Sequence, residues 1–333
     1  MIRALVVVPA LWGGLVLAQP HAAPAGAPAG AASSAPADGM TLLRRIYQAT
    51  EKLSYTGTFV YQQGDRAETS RILRQAGPKG GVERVEVLDG APREIVRTRD
   101  TVRCYLPDSH VVRVERRGTQ HAFPALLPER LSELEQSYTI TRGDSTRIAG
   151  YDCDSVVLAP KDDLRYGYKL WSDRKSGMLL KARTFNRKGE TVEQFVFTQL
   201  SIGSVPRRQV EARPRAGNWR IEDAAVAPAD LAGEGWTVGA ALPGFHKVTE
   251  VTRRLGASHP VGQVVYSDGI AAVSVFIEPL AGRAHTVRPG LSTLGAFNIY
   301  TRRVADHVVT VVGETPAASV QRIGNTVEYR RPQ

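Results

Sequence analysis

Residues able to carry chemistry are few in this 333-residue chain, and they are scattered. The seven histidines (His21, His110, His121, His246, His259, His285, His307) form no pair at helical metal spacing, and HExxH is absent. Gly143-Asp144-Ser145 resembles the nucleophile block of some esterases, but GxSxG is missing and three turn formers between two strands read as a turn. Phosphate-cradling GxGxxG and Walker patterns are also missing. No cofactor and no metal is expected, and an enzyme finds no support. Cys104 and Cys153 are the only cysteines, both in predicted strands. In an oxidising compartment they are candidates for a disulfide, which by closing a loop of roughly 50 residues would stabilise by about 4 kcal/mol in the chain-entropy model. Two buried free thiols are the alternative, because strand adjacency is not written in the sequence.

What remains is binding chemistry, and the elements that would position it centre on Arg165 to Leu200. Loops at Ser172 to Gly177 and Asn186 to Gly189 divide this stretch into three strands, a meander. Tyr166, Tyr168 and Leu170 share one parity, with Lys169 and Trp171 on the other; Met178, Leu180 and Ala182 repeat the pattern, and Phe195 and Phe197 add a third rung. Upstream, Met40 to Leu53 places Leu42, Leu43, Ile46, Ala49 and Leu53 on one helical face. Short strands follow at Tyr55 to Gln63, Ala67 to Gln75, Val82 to Leu88, Arg93 to Arg99, Val102 to Leu106 and Val111 to Glu115, separated by Gly, Pro and Asp turns. A second helix is predicted near Pro128 to Tyr138, and strands at Tyr138 to Gly143 and Arg147 to Ala159 complete about ten, paired antiparallel because the connections are short.

The fold class is therefore mostly β: a large half-open antiparallel barrel curved by its own twist, with helices covering part of its concave face. Inward aromatic and aliphatic residues of such a barrel line a ligand hollow or pack under the helices; the candidates are Phe59, Tyr61, Tyr105, Tyr168, Leu170, Leu180, Phe195 and Phe197.

A basic, proline-bearing stretch from Val205 to Gly235 reads as a linker, and a smaller domain follows (236–328). There Asp268-Gly269 marks a hairpin between Val261 to Ser267 and Ala271 to Glu278. Strands at Gly295 to Arg303 and Val308 to Gly313 come next, then a helix opened by Pro316 and capped by Thr315, for a sheet of four or five strands with one covering helix. Tyr266, Phe276 and Tyr300 are aromatics of the kind enriched at interfaces, and Arg253, Arg254, Arg302 and Arg303 would form a cationic rim for an acidic segment.

The N-terminus speaks to compartment. Arg3, the apolar run Ala4 to Leu17 and Val16-Leu17-Ala18 read as a secretory signal peptide (1–18), and the Ala/Pro/Gly/Ser stretch 19–39 as a tether before the large domain (40–204). The net charge of +10 favours acidic partners; export by a signal peptide as a soluble protein removes nucleic acid from that set.

The blocks SYTGTFVYQQG (Ser54 to Gly64), VRCYLPD (Val102 to Asp108), FPALLP (Phe123 to Pro128), RYGYKLWSDRKSGMLLKA (Arg165 to Ala182), ETVEQFVFTQL (Glu190 to Leu200), VVYSDGIAAVSVFIEPL (Val264 to Leu280) and GAFNIYTRRVADHVVTVVGETP (Gly295 to Pro316) resemble, in order, the RseB/MucB family of periplasmic sigma-E regulators. The resemblance implies a large domain similar to the lipoprotein carriers LolA and LolB. It also implies a partner, the periplasmic domain of the anti-sigma factor RseA or MucA, which family members shield from the site-one protease until lipid or lipopolysaccharide signals arrive. Acyl chains of lipid, lipopolysaccharide or lipoprotein are the implied ligands, and a homo-oligomer stays open. A lipid or lipoprotein carrier is the alternative reading; the small domain argues against it, since a carrier needs only the barrel.

Overall fold

The computed structural model describes residues 38–77, 80–116, 127, 131–211, 217–223, 226–239, 242–254, 260–280 and 288–331, and the side chains of Arg116 and Arg254 are outside that description. The expected signal peptide and nearly all of the tether fall outside it too. The first helix, α1 (Gly39–Lys52), begins where Asp38 accepts a hydrogen bond from the Thr41 amide (2.6 Å). It buries Leu42, Leu43, Ile46 and Ala49, as their spacing predicts, each large side chain contributing about 2 kcal/mol.

Eleven strands of the large sheet then follow in chain order: β1 (Tyr55–Gln63), β2 (Arg66–Gln75), β3 (Val82–Val87), β4 (Arg93–Arg97), β5 (Thr101–Leu106), β6 (Val111–Arg116), β7 (Tyr138–Ile148), β8 (Tyr151–Pro160), β9 (Gly167–Asp173), β10 (Leu179–Phe185) and β11 (Thr191–Ile202). A twelfth, β12 (Arg220–Asp223), comes from the stretch expected to be a linker. The sheet order is β12-β6-β5-β4-β3-β2-β1-β11-β10-β9-β8-β7. Every pairing is antiparallel except β12 on β6, which is parallel. No ladder among the described residues joins β12 to β7, so the curved sheet is half open. The predicted meander is present as β9, β10 and β11, side by side.

Two expectations for this region are corrected. The helix near Pro128 to Tyr138 shrinks to a 3-10 turn (Leu131–Glu133) and one turn, α2 (Leu134–Ser137). Leu127, Leu131, Leu134 and Tyr138 are nevertheless all buried in the core, with Tyr138 opening β7. Gly143 to Ser145 is not a turn but an irregularity within β7, where the register shifts between Arg142 and Ser145. Chain reversal falls instead at Ala149 (φ 46°) and Gly150 (φ 88°), both left-handed, the geometry a two-residue hairpin needs.

The remaining linker residues are not idle. A single turn, α3 (Arg207–Val210), packs on β2 and β3, burying Val205 and Val210. The Arg84 guanidinium donates to the Gln209 carbonyl (2.9 Å) from the face opposite Val85, which belongs to the core. Beyond β12, β13 (Val226–Pro228) pairs with the second sheet, so one segment supplies an edge strand to each sheet.

The second sheet comprises β13, β15 (His246–Arg254), β16 (Pro260–Ser267), β17 (Ala272–Pro279), β18 (Gly290–Leu294), β19 (Phe297–Val304) and β20 (His307–Gly313), ordered β13-β15-β16-β17-β20-β19-β18. It has seven strands rather than four or five. A separate pair joins β14 (Trp236–Val238) to β21 (Val327–Tyr329). Helix α4 (Ala317–Asn325) covers one face with Val320 and Ile323 fully buried. Thr315 does not cap it: Pro316 occupies the cap position, and the Thr315 hydroxyl is buried with no hydrogen-bond partner among the described residues.

Candidate functional site

The concave face of the large sheet is built from alternate residues of the meander and β1. Phe59, Tyr168, Leu170, Leu180, Phe195 and Phe197 all enter one core cluster with Leu42, Leu43 and Ile46 of α1. Phe197 receives Phe59 and Tyr55 edge-on at centroid distances of 5.9 and 6.2 Å. Phe59 faces Phe197 and Tyr61 faces Phe195 across β1 and β11, so the spacing in the sequence becomes a cross-strand aromatic ladder. On the opposite face, Trp171 lies between the ammonium groups of Lys169 and Lys181 (4.8 and 4.9 Å from its ring).

Two of the eight hollow candidates have different places. Tyr61 packs its ring on the core, but its hydroxyl donates to Glu193 Oε2. Tyr105 has the parity opposite to Cys104, whose partner Ile95 packs on the core; its ring meets Trp219 edge-on (6.4 Å) on the outer face. The disulfide is also corrected: Cys104 and Cys153 are both free. Seven strands of the sheet lie between β5 and β8, which keeps the two thiols apart. Burial raises the pKa of both, that of Cys153 to about 11.

The candidate partner residues of the small sheet do not form one rim. Arg253 on β15 and Arg302 and Arg303 on β19 are four strand spacings apart, about 19 Å at the usual inter-strand distance. Tyr266 is a core residue, 3 % exposed, its hydroxyl donating to the Val238 carbonyl (2.7 Å). Tyr300 lies over Gly324 and donates to Asn325 Oδ1 (3.0 Å), while Arg302 donates to the Gly324 carbonyl (3.2 Å) at the end of α4. Phe276 is half-buried and Arg303 exposed; Arg254 lies outside the described side chains.

The densest polar site is one that residue spacing did not reveal, the junction between the sheets. Arg165, whose side chain is 1 % exposed, sends Nη1 to Asp268 Oδ2 (2.8 Å) in the β16–β17 hairpin. The Tyr138 hydroxyl donates to the same oxygen (3.1 Å), while Asp268 Oδ1 accepts from the amides of Ile270 and Ala271 (3.1 and 2.8 Å). Arg165 also donates to both oxygens of Asp162 (3.0 Å each) and to the Pro243 carbonyl, and its guanidinium stacks on Phe245 (5.1 Å). Burial lifts the Asp268 carboxyl pKa, and Arg165, the two amides and Tyr138 pull against that lift. Beside this ion pair, Asn298 of β19 donates to the Tyr166 hydroxyl (3.1 Å) and the Thr315 carbonyl (2.7 Å), and Ser319 of α4 donates to the Leu164 carbonyl (2.7 Å). The only sequence signal was the Asp268-Gly269 turn, in which Asp reads as a turn former and not as an ion-pair partner.

Comparison with known proteins follows this geometry. The MucB/RseB N-terminal domain family matches residues 38–222 and the MucB/RseB C-terminal domain family residues 230–328. The sigma factor AlgU regulatory protein MucB of Pseudomonas aeruginosa is 33% identical over 303 residues, 87% of this chain and 91% of that protein. The sigma-E factor regulatory protein RseB of Escherichia coli K12 is 24% identical over 306 residues, 90% of this chain and 93% of that protein. Among solved structures, a crystal structure of MucB in complex with MucA(peri) superposes with a TM-score of 0.66 at 29% identity, covering 89% of this chain and all of that one. A Pseudomonas aeruginosa MucA/MucB complex gives 0.67 at 29% identity, covering 88% of this chain and 99% of that one. With two domain families in order across both sheets and a relative above 30% identity over most of its length, the chain belongs to the MucB/RseB family of sigma-factor regulatory proteins.

Proposed function

We propose that this chain is a periplasmic regulator that binds the periplasmic domain of a MucA-type anti-sigma factor and shields it from regulated proteolysis. The observation that carries the reading is the match, over 89% of the chain, to MucB solved in complex with MucA(peri). Both sheets lie within that matched length, so a partner surface drawing on both is the natural expectation. The separation of Arg253 from Arg302 and Arg303 supports contacts dispersed over the small sheet rather than one cationic rim. Titration calorimetry of the mature chain with the periplasmic domain of the anti-sigma factor from the same organism tests the reading: saturable binding is expected, and absence of heat together with absence of co-elution would overturn it.

Lipid sensing is the second part of this proposal. The feature that favours it is the uneven cover of the concave face: α1 packs on β7, β8 and β10, whereas Ile95, Val102 and Leu106 on β4 and β5 are only half-buried. Phe59, Tyr168, Leu180 and Phe197 would form the floor at the closed end, and an acyl chain would lie along Ile95, Val102 and Leu106. Replacing Val102 by Asp should weaken binding of a fluorescent fatty-acyl probe at least tenfold without changing the melting temperature by more than a few degrees. Unchanged probe affinity would remove this part of the proposal and leave partner binding intact.

A further inference from the structure

We infer that the outer face of the meander, where Lys169, Lys181 and Arg183 converge around Trp171, docks an acidic, extended segment of a partner protein. Strand pairing sets the three cations side by side. Lys169 on β9 stands directly opposite Arg183 on β10, and Lys181 lies two residues before Arg183 on the same face. Like charges directly opposite one another work against a strand pair. Trp171, opposite Lys181 and 6 % exposed, offsets part of that cost: its ring lies 4.8 Å from the Lys169 ammonium and 4.9 Å from that of Lys181. The Arg183 guanidinium lies over the Phe185 ring (5.7 Å).

The charge is not balanced within the chain. Among the described residues the only carboxylate paired with any of the three is Asp144, and it pairs with Lys169 alone. The register shift in β7 brings Asp144 there and the Ser155 hydroxyl donates to it (2.9 Å), yet its side chain is still 61 % exposed. It occupies Lys169 as an outside carboxylate would. Lys181 and Arg183 have no ion pair among the described residues, and Arg183 Nε is a buried donor with no hydrogen bond. Burial, and then the charges of Arg183 and Lys169, depress the Lys181 pKa, with Asp144 pulling weakly the other way. That is the response of an ammonium short of counter-charge.

The surroundings favour a polypeptide. From Lys169 and Arg183 the cross-strand pairing continues to Gln194 and Gln62, whose amides bond each other (3.0 Å). The adjoining row continues from Trp171 and Lys181 to the half-buried Val196 and Val60. Each row crosses four strands, about 14 Å at the usual spacing, which is the reach of about four extended residues. An extended segment lying between the rows, its side chains alternating to either side, would set carboxylates on the cationic row and aliphatic groups on the apolar one. A bilayer surface asks for long cationic chains free to reach the headgroups. Here the Lys169 side chain is only 19 % exposed and both lysines are held on one ring.

Fluorescence anisotropy of the mature chain with a fluorescein-labelled octapeptide of alternating Glu and Val tests the docking face, and no anti-sigma factor enters the experiment. Saturable binding is expected, weakened about tenfold in the double variant Lys181→Gln/Arg183→Gln and strengthened about threefold in Asp144→Asn, which frees Lys169. On the wild-type chain the same peptide should protect Lys169 and Lys181 from acetylation, read by mass spectrometry, and a charge-reversed peptide of Arg and Val should not. Absence of binding, unchanged affinity in the double variant, weaker binding by Asp144→Asn, or equal acetylation with and without the peptide would each overturn the proposal. So would phosphatidylglycerol vesicles that protect both lysines when the peptide does not, since the face then belongs to a membrane surface. Far-ultraviolet dichroism identifies a misfolded variant, and the protection experiment decides the matter on the wild-type chain alone.

Discussion

Arg165 gathers more of the fold around itself than any residue whose type announces a role. Its charge is buried against Asp268, and the hydrogen bonds from Tyr138, Ile270 and Ala271 complete the carboxylate. Removing one partner of such a pair leaves the other charge buried and uncompensated, which costs about 3–5 kcal/mol. Arg165→Met should therefore lower the stability measured by urea unfolding by about that amount, whereas the double change with Asp268→Leu should recover much of it; a single variant of wild-type stability would contradict the assignment. The thiols give a second residue-scale prediction. Cys104 is half-buried and Cys153 is 0 % exposed with a pKa pushed to about 11. Alkylation of native protein without reductant should add one label slowly at Cys104 and a second only after unfolding, read by mass spectrometry. A product carrying no label before or after unfolding would restore the disulfide.

At the scale of elements, the sequence was most legible where one periodicity ran unbroken. The meander, α1 and the Asp268-Gly269 hairpin fall where the alternation of Tyr168, Leu170, Leu180, Phe195 and Phe197, or the spacing of Leu42, Leu43 and Ile46, requires. Short or edge elements were not legible. Strand β12 and strand β13 carry exposed residues such as Ile221 (70 %) and Val226 (37 %), so their place is set by backbone pairing with β6 and β15 and not by any apolar pattern. The polar junction was hidden for a related reason: Arg165 and Asp268 look like surface residues until two sheets meet over them. Close approach inside the ladder gives a further prediction. A Cβ on Gly57 would lie 2.7 Å from both Phe197 Cε1 and the Gln199 carbonyl oxygen. Gly57→Ala should destabilise by about 2 kcal/mol through overpacking, while Gly64→Ala, with open space around it but a φ of 56°, should cost about 1 kcal/mol from backbone strain alone. Equal melting temperatures for Gly57→Ala and wild type would mean that the ladder yields more easily than these contacts allow.

On the scale of the whole molecule, two sheets are stitched together by a segment that gives an edge strand to each and by a buried junction centred on the Arg165–Asp268 ion pair. That arrangement suits a binding regulator better than a carrier, because the small sheet and its junction lie apart from the acyl hollow proposed on β4 and β5. A ligand on the large sheet would alter the affinity of a partner held by both sheets only if it bound one arrangement of the two sheets better than another. The central claim is that the chain binds and shields an anti-sigma factor. The most direct test is a time course of site-one protease cleavage of that factor's periplasmic domain, with and without an equimolar amount of the mature chain at a concentration above the calorimetric Kd. The account predicts cleavage slowed at least tenfold and restored by saturating acyl ligand; an unchanged cleavage rate in the presence of saturating chain would contradict it.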